Sequence, residues 1–273
     1  MAVISLLKTD EATEQQPRQL KALLQKLLLP FGGSEVYFDT AHTVFLLDLL
    51  LPADNAAGVN FDLRLAYALA ELARGRSHRL VSFAVRPEEG FGLEQVLEAS
   101  GYDRLRELEN VDFIDLSQAE TLRLPTDTRL ALDEAPVYRP LAEAGLVVSL
   151  AKLKAAENSL FGSAMCNLAL AGPGLNGRDA EQRSRALVDI YSVLTPDLTL
   201  VDGWRGDSGF QQHRGDFVLA AADAVAADAV LAALSGIDLA QVDYLQLAAQ
   251  YGLGEGDPGS IHLYGDDISE LMN

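Results

Sequence analysis

The chain has 273 residues, 49% hydrophobic and 22% charged, enough to bury a substantial core. Forty acidic residues against 21 basic ones give a formal charge of -19, which repels phosphate backbones and anionic headgroups and argues against nucleic-acid and membrane-surface partners. A single cysteine can neither close an internal disulfide nor by itself ligate an iron–sulfur cluster, which points to a reducing, cytoplasmic setting.

In chain order, MAVISLLKTDEATEQQ lacks the basic start and long apolar centre of a secretory signal, and no window approaches 18 uninterrupted apolar residues. Leu20, Leu23, Leu24, Leu27 and Leu28 recur at helical spacing and predict an amphipathic helix over 14–29, ended by Pro30 and Gly32-Gly33. A buried strand is expected over 43–51, a helix over 61–74 and a strand over 80–85. A helix over 93–100 closed by Gly101 and a strand over 111–116 follow. Residues 121–138, interrupted by Pro125 and Pro136, suit an antiparallel excursion or a loop over the sheet.

A strand is expected again over 146–150. Asp179 and Gln182 have capping-box spacing ahead of a helix whose apolar face is Leu187, Ile190, Tyr191 and Leu194. Strands at 198–201 and 217–222 come next. Asp223 then caps an alanine-rich helix to Ser235, and Asp238 with Gln241 opens a helix through Tyr251. A short strand at 260–264 ends the pattern. This alternation predicts one α/β unit over 1–273, a mostly parallel sheet with crossover helices on both faces.

VVSLAKLK, DLTLVDG, ADAVAADAV and AQYGLGEGDPGSIHLYGDD occur in that order in the C-terminal half. Together they resemble the family called domain of unknown function 362, best over 141–268 and elsewhere through the alternating pattern. In that family a strand ending in Lys-Thr-His precedes a segment with Lys-Asn and glycine. A strand ending Val-Asp-Gly follows, then Asp-x-x-Ala-x-Asp and Gly-Leu-Gly. The resemblance implies an α/β fold, in which some members carry a ferredoxin-like iron–sulfur module. This sequence has no such module, so no intrinsic cluster is expected, and any redox role would need a separate partner. Of the Lys-Thr-His element only Lys154 is kept, because Ala155 and Ala156 follow it. Of Lys-Asn only Asn167 is kept, after Cys166. Asp202, Asp223 and Asp228 match the acidic positions.

Several residues could carry chemistry. Lys152 and Lys154, two apart at a strand end, would face the same side as an anion clamp or a base of lowered pKa, although two ordinary surface lysines fit the same spacing. Asp202 ends its strand and enters WRGDSGFQQHRGD, a loop with three glycines, Trp204 and His213. An acid there can bind a metal or a hydroxyl or move a proton, or simply close an Asp-Gly turn. Arg205-Gly206-Asp207 in this loop is read as chance. A divalent metal could sit on Asp202 and Asp228, while the four histidines show no paired ligand spacing. Gly172-Pro-Gly174-Leu-Asn-Gly177 has the dinucleotide spacing but suits that role only if a strand over 165–171 precedes it. Cys166 reads as structural.

The leading expectation is therefore a small-molecule enzyme with an anionic or carbonyl-containing ligand in a strand-end crevice. Lys154 and Asp202 would be catalytic, and Lys152, Asn167, Trp204 and His213 would contact the ligand. A non-catalytic scaffold or partner-binding protein, oligomeric with itself or within a biosynthetic complex, is the alternative. A dinucleotide-binding oxidoreductase is the third.

Overall fold

The computed structural model describes residues 1–10, 13, 15–75, 79–157, 160–173, 175, 178–204 and 216–271. The strands found among them are β1 (Val3–Lys8), β2 (His42–Leu47), β3 (Leu80–Val85), β4 (Val111–Asp115), β5 (Thr121–Pro125), β6 (Glu134–Tyr138), β7 (Val147–Lys152), β8 (Lys154–Glu157), β9 (Leu160–Gly162), β10 (Leu198–Asp202), β11 (Phe217–Ala221) and β12 (His262–Gly265). The longer helices are α1 (Pro17–Leu28), α2 (Leu63–Arg74), α3 (Leu93–Ser100), α4 (Ala180–Val193), α5 (Ala224–Leu234) and α6 (Asp243–Gln250).

Eight strands form one sheet in the order β12-β1-β11-β10-β7-β2-β3-β4, and β5 with β6 and β8 with β9 make separate hairpins. β10, β7, β2, β3 and β4 run parallel to one another. β11 is antiparallel to both β10 and β1, and β12 pairs in parallel with β1. The sheet is thus mostly parallel, with a mixed edge, and β5–β6 is the antiparallel excursion.

Side-chain alternation divides the interior between the two faces. α1, α2 and α3 pack with Phe45, Phe83, Val148 and Leu200 on one face, while α4, α5 and α6 pack with Val44, Ala151 and Val201 on the other. The central strands read as continuous apolar runs because both faces are covered.

The connectivity fixes where a crevice must lie. From β2 the chain goes outward through α2 and α3 to β3 and β4, on one side. β7 then pairs with the other side of β2 and leads through α4, on the opposite face, to β10. Strand order reverses between β2 and β7, and in open α/β sheets the helices part at that point and leave a crevice at the carboxyl ends.

Several boundaries differ from expectation for identifiable reasons. α1 begins at Pro17, whose fixed φ and missing N–H suit a first helical turn. β1 was not anticipated: VISLLK is a short apolar run whose partners β11 and β12 lie more than two hundred residues away in sequence. The helix expected from Asp238 to Tyr251 is divided, with a single 3-10 turn at Leu239–Gln241 and α6 starting at Asp243. The 165–171 segment is helical, with short turns at Ala164–Asn167 and Leu168–Leu170, so no strand leads directly into Gly172. Gly174, Asn176 and Gly177 of that motif fall outside the described residues.

Gly172 has a packing role instead. A Cβ there would lie 1.8 Å from the carbonyl oxygen of Pro136, where the segment runs against β6 and Ala171 accepts a hydrogen bond from the Tyr138 amide. Gly172→Ala forces these backbones apart and is expected to cost about 1–3 kcal/mol, the usual range for overpacking, read as a lowered urea midpoint with an unchanged slope.

Candidate functional site

At the carboxyl ends of β2, β7 and β10, where the topology puts the crevice, charged side chains converge. Asp202 and Lys152 are register partners at the last positions of β10 and β7. The Lys152 ammonium lies 3.0 Å from Asp202 Oδ2, with Lys152 2% and Asp202 0% exposed. The same ammonium donates to the Trp204 carbonyl. Asp202 also accepts from the Trp204 amide (2.8 Å) and the Asp62 amide (2.9 Å), so each carboxylate oxygen is engaged. Desolvation raises the Asp202 carboxyl above its ordinary range, with Lys152 pulling in the opposite direction.

The two lysines, expected on one side of the sheet, have different partners. β7 stops at Lys152, Leu153 donates its amide to the Asp202 carbonyl, and Lys154 opens β8. Lys154 instead pairs with Asp48, just beyond β2, at 2.5 Å, and its side chain stays 28% exposed. Asp48 Oδ2 accepts the Lys152 amide at 3.2 Å. The Asp48–Lys154 pair therefore spans the point at which strand order reverses.

Asn167 sits between the same two strands. Its amide nitrogen donates to the Leu46 carbonyl (3.1 Å), the Leu150 carbonyl (3.2 Å) and Ser149 Oγ (2.8 Å), while its buried Oδ1 has no hydrogen-bond partner among the described residues. The loop from β2 to α2 folds back over the strand ends. Asn60 pins it through the Leu50 amide and Leu51 carbonyl, and the Phe61 amide donates to the Asp48 carbonyl. Asp62 then caps α2 through the Arg64 amide and holds the Arg64 guanidinium at 2.7 Å. That guanidinium lies 4.9 Å from the centroid of the buried Trp204 ring, a cation–π contact.

Trp204 thus forms part of the wall beside the Lys152–Asp202 pair, whereas His213 lies outside the described residues. Asp48, Asp62 and Arg64 were missed by sequence reasoning. The signal for Asp48 was an ionisable residue inside the apolar run FLLDLLL, taken as mid-strand; Asp62 had the look of an N-cap one residue before α2.

Asp228 belongs to the other face. Buried in α5, it accepts from the Ala164 amide (2.8 Å), the Met165 amide (3.1 Å) and the Tyr244 hydroxyl (3.1 Å), and so anchors the short helix that carries Asn167. Asp202 faces the α2 side of the sheet, so the two carboxylates are not brought together. Among the described residues, no group of three or more His, Cys, Asp or Glu side chains could hold a metal ion. Burial pushes the Cys166 thiol well up, with Asp228 adding to the effect, the opposite of what a thiolate nucleophile needs.

A profile of the family described as Domain of unknown function (DUF362) matches residues 47–233. The chain belongs to this family. The match begins at the end of β2 and takes in Asp48, so the relationship extends into the N-terminal half further than the motifs over 141–268 indicated. Of the DUF362 positions, Lys154 and Asn167 line the switch point, Asp202 lies buried behind it, and Asp223 caps α5 through the Ala226 amide at 3.0 Å. No curated protein sequence matches the chain significantly.

Two solved structures are similar. The lactate racemase apoprotein from Thermoanaerobacterium thermosaccharolyticum is 13% identical with a TM-score of 0.46, covering 74% of this chain and 50% of that one. A protein from Thermotoga maritima is 14% identical with a TM-score of 0.46, covering 89% of this chain and 60% of its own. The chain thus spans less than two thirds of either structure. Among the described residues, no helix is long and apolar enough to cross a membrane.

Removing one partner of a buried ion pair leaves the other charge uncompensated. Asp202→Asn is expected to cost about 3–5 kcal/mol in urea unfolding, and adding Lys152→Met to recover part of that loss. Wild-type stability in Asp202→Asn would show that the pair does not hold the strand ends.

Asp228 generates a pH prediction. Burial pushes its carboxyl up to about 7, against the pull of its hydrogen bonds. An unfolded aspartate titrates near 3.9, so the folded protein holds this proton over a range in which the unfolded chain has released it. Its contribution is full below about pH 4 and is lost as pH rises through about 7, at no more than about 1.4 kcal/mol per pH unit. Asp228→Asn should flatten the stability–pH curve over that interval, measured by urea unfolding at a series of pH values.

Proposed function

We propose that the chain binds a small anionic or carbonyl-containing molecule at the carboxyl ends of β2 and β7 and acts on it as an enzyme. The observation that carries this reading is the Lys154–Asp48 pair at the reversal of strand order, with Asp48 buried and Lys154 partly exposed, beside a buried Asn167 oxygen that has no partner among the described residues. An ammonium has three N–H donors, and Asp48 takes one. Lys154 can therefore receive a ligand oxygen and stabilise negative charge developing there. Asp48 holds the ammonium in place and is within reach to exchange a proton with it. Asp202 acts from behind: enclosed with Lys152, it fixes the strand ends and the loop that carries Asp62. In this assignment it is a positioning residue, and a divalent metal on it would have to displace Lys152.

Lys154→Ala is expected to abolish turnover of an identified substrate, or weaken binding at least tenfold, the loss of one charge-assisted hydrogen bond. The melting temperature should change little, because the pair is partly solvated. Native mass spectrometry of the purified protein, with metal analysis, would identify a co-purifying ligand. Full activity in Lys154→Ala would sink the assignment.

A second reading, a non-catalytic scaffold for a partner protein, is favoured by one observation. The chain has Ala155 and Ala156 where the family pattern has threonine and histidine, and Cys166 where it has lysine. A stoichiometric protein partner with no bound metabolite would support that reading instead.

A further inference from the structure

Resting on the reading of Lys154 as an anion-binding group, we infer that Arg86 is the second anion-binding residue of the crevice, and that the ligand is a small dianion with a hydroxyl or amine between its acidic ends. Arg86 directly follows β3, so it stands at the same end of the sheet as Lys154, on the other side of β2. The two strands that deliver these cations flank β2 and lie roughly 10 Å apart, two inter-strand spacings. Long side chains at both positions can close on a molecule of four or five carbons.

Arg86 is half-buried, and its hydrogen bond goes to a backbone carbonyl: Nη1 donates to Ala169 O at 3.3 Å. No salt bridge joins it to any carboxylate among the described residues, in a chain with 40 acidic side chains to 21 basic ones. Among the described residues this leaves four of its five N–H donors for an incoming group, in the planar fork that matches a carboxylate or phosphate. Its one bond ties it to the segment that presents Asn167, two residues before Ala169.

Asn167 supplies the middle of the site. Its amide nitrogen is committed to strand carbonyls and Ser149, which turns Oδ1 away from them. That oxygen is buried, on a residue 4% exposed, and lacks a donor among the described residues. An unsatisfied buried acceptor costs free energy that a ligand O–H or N–H would remove. Going across the end of β2, the site then offers a guanidinium, an acceptor and an ammonium. Its complement is acid, donor, acid.

The test is thermal denaturation with malate, succinate and inorganic phosphate, each compared with sodium chloride at equal ionic strength, because salt alone screens the charge of -19. Wild type should be stabilised in the order malate, succinate, phosphate. Arg86→Ala should weaken the malate response at least tenfold in concentration, and Arg86→Lys should restore part of it. Equal responses to malate and succinate would overturn the role of Asn167, and no response beyond chloride would overturn the dianion. An unaltered malate response in Arg86→Ala, with loss in Lys154→Ala, would overturn the inference while leaving the Lys154 assignment standing. An unaltered response in both variants would overturn the two together.

Discussion

An ammonium and a carboxylate taken fully out of water at the ends of two adjacent strands constrain everything around them. Lys152 and Asp202 neutralise each other there, and a buried pair of this kind also needs further hydrogen bonds. The Trp204 carbonyl takes a second proton of the ammonium, and the Trp204 and Asp62 amides give each carboxylate oxygen a backbone donor, so the pair dictates where the chain leaves β10 and where α2 starts. The stacking of Arg64 on Trp204 and its pairing with Asp62 follow from the same arrangement. Behind a wall held this way, Lys154 stays partly solvated against the buried Asp48.

The excess of acid has an internal use as well as a surface one. Asp189, wholly buried in α4, accepts from the amides of Leu130, Ala131 and Leu132 and from the Thr128 hydroxyl, and so holds down the loop between β5 and β6. Asp228 does the same for the turn that carries Asn167, and Asp223 receives the Glu255 amide as well as capping α5. Carboxylates suit this work because each oxygen accepts more than one donor and charge-assisted bonds are stronger than neutral ones. Loops in this fold are tied to helices by aspartates.

Much of the scaffold was legible because its signals are local. The spacing of Leu20, Leu24, Leu27 and Leu28 gives α1, and each of the four is buried. Asp179 and Asp223 cap the helices that follow them, and Gly101 takes the left-handed conformation that ends α3. Lys154, Asn167 and Asp202 could be picked out by motif. What they touch could not: Lys154 meets Asp48 across 106 residues and Asp62 meets Asp202 across 140. Their placement side by side depends on which strands pair, and β1, whose six residues give almost no periodicity, shows how little of that pairing a short run reveals.

The sequence by itself determined the alternation of strands and helices, the caps that bound the helices and the acidic balance, because each follows from chemistry within a few residues along the chain. Tertiary structure decided that the order of strands reverses between β2 and β7, and that Lys152 turns inward while Lys154 stays at the opening. It also brought Arg86, Asn167 and Lys154 to one end of the sheet. The physical reason is that strand pairing and the solvation of charge are settled between segments far apart in the chain, where local periodicity carries no information.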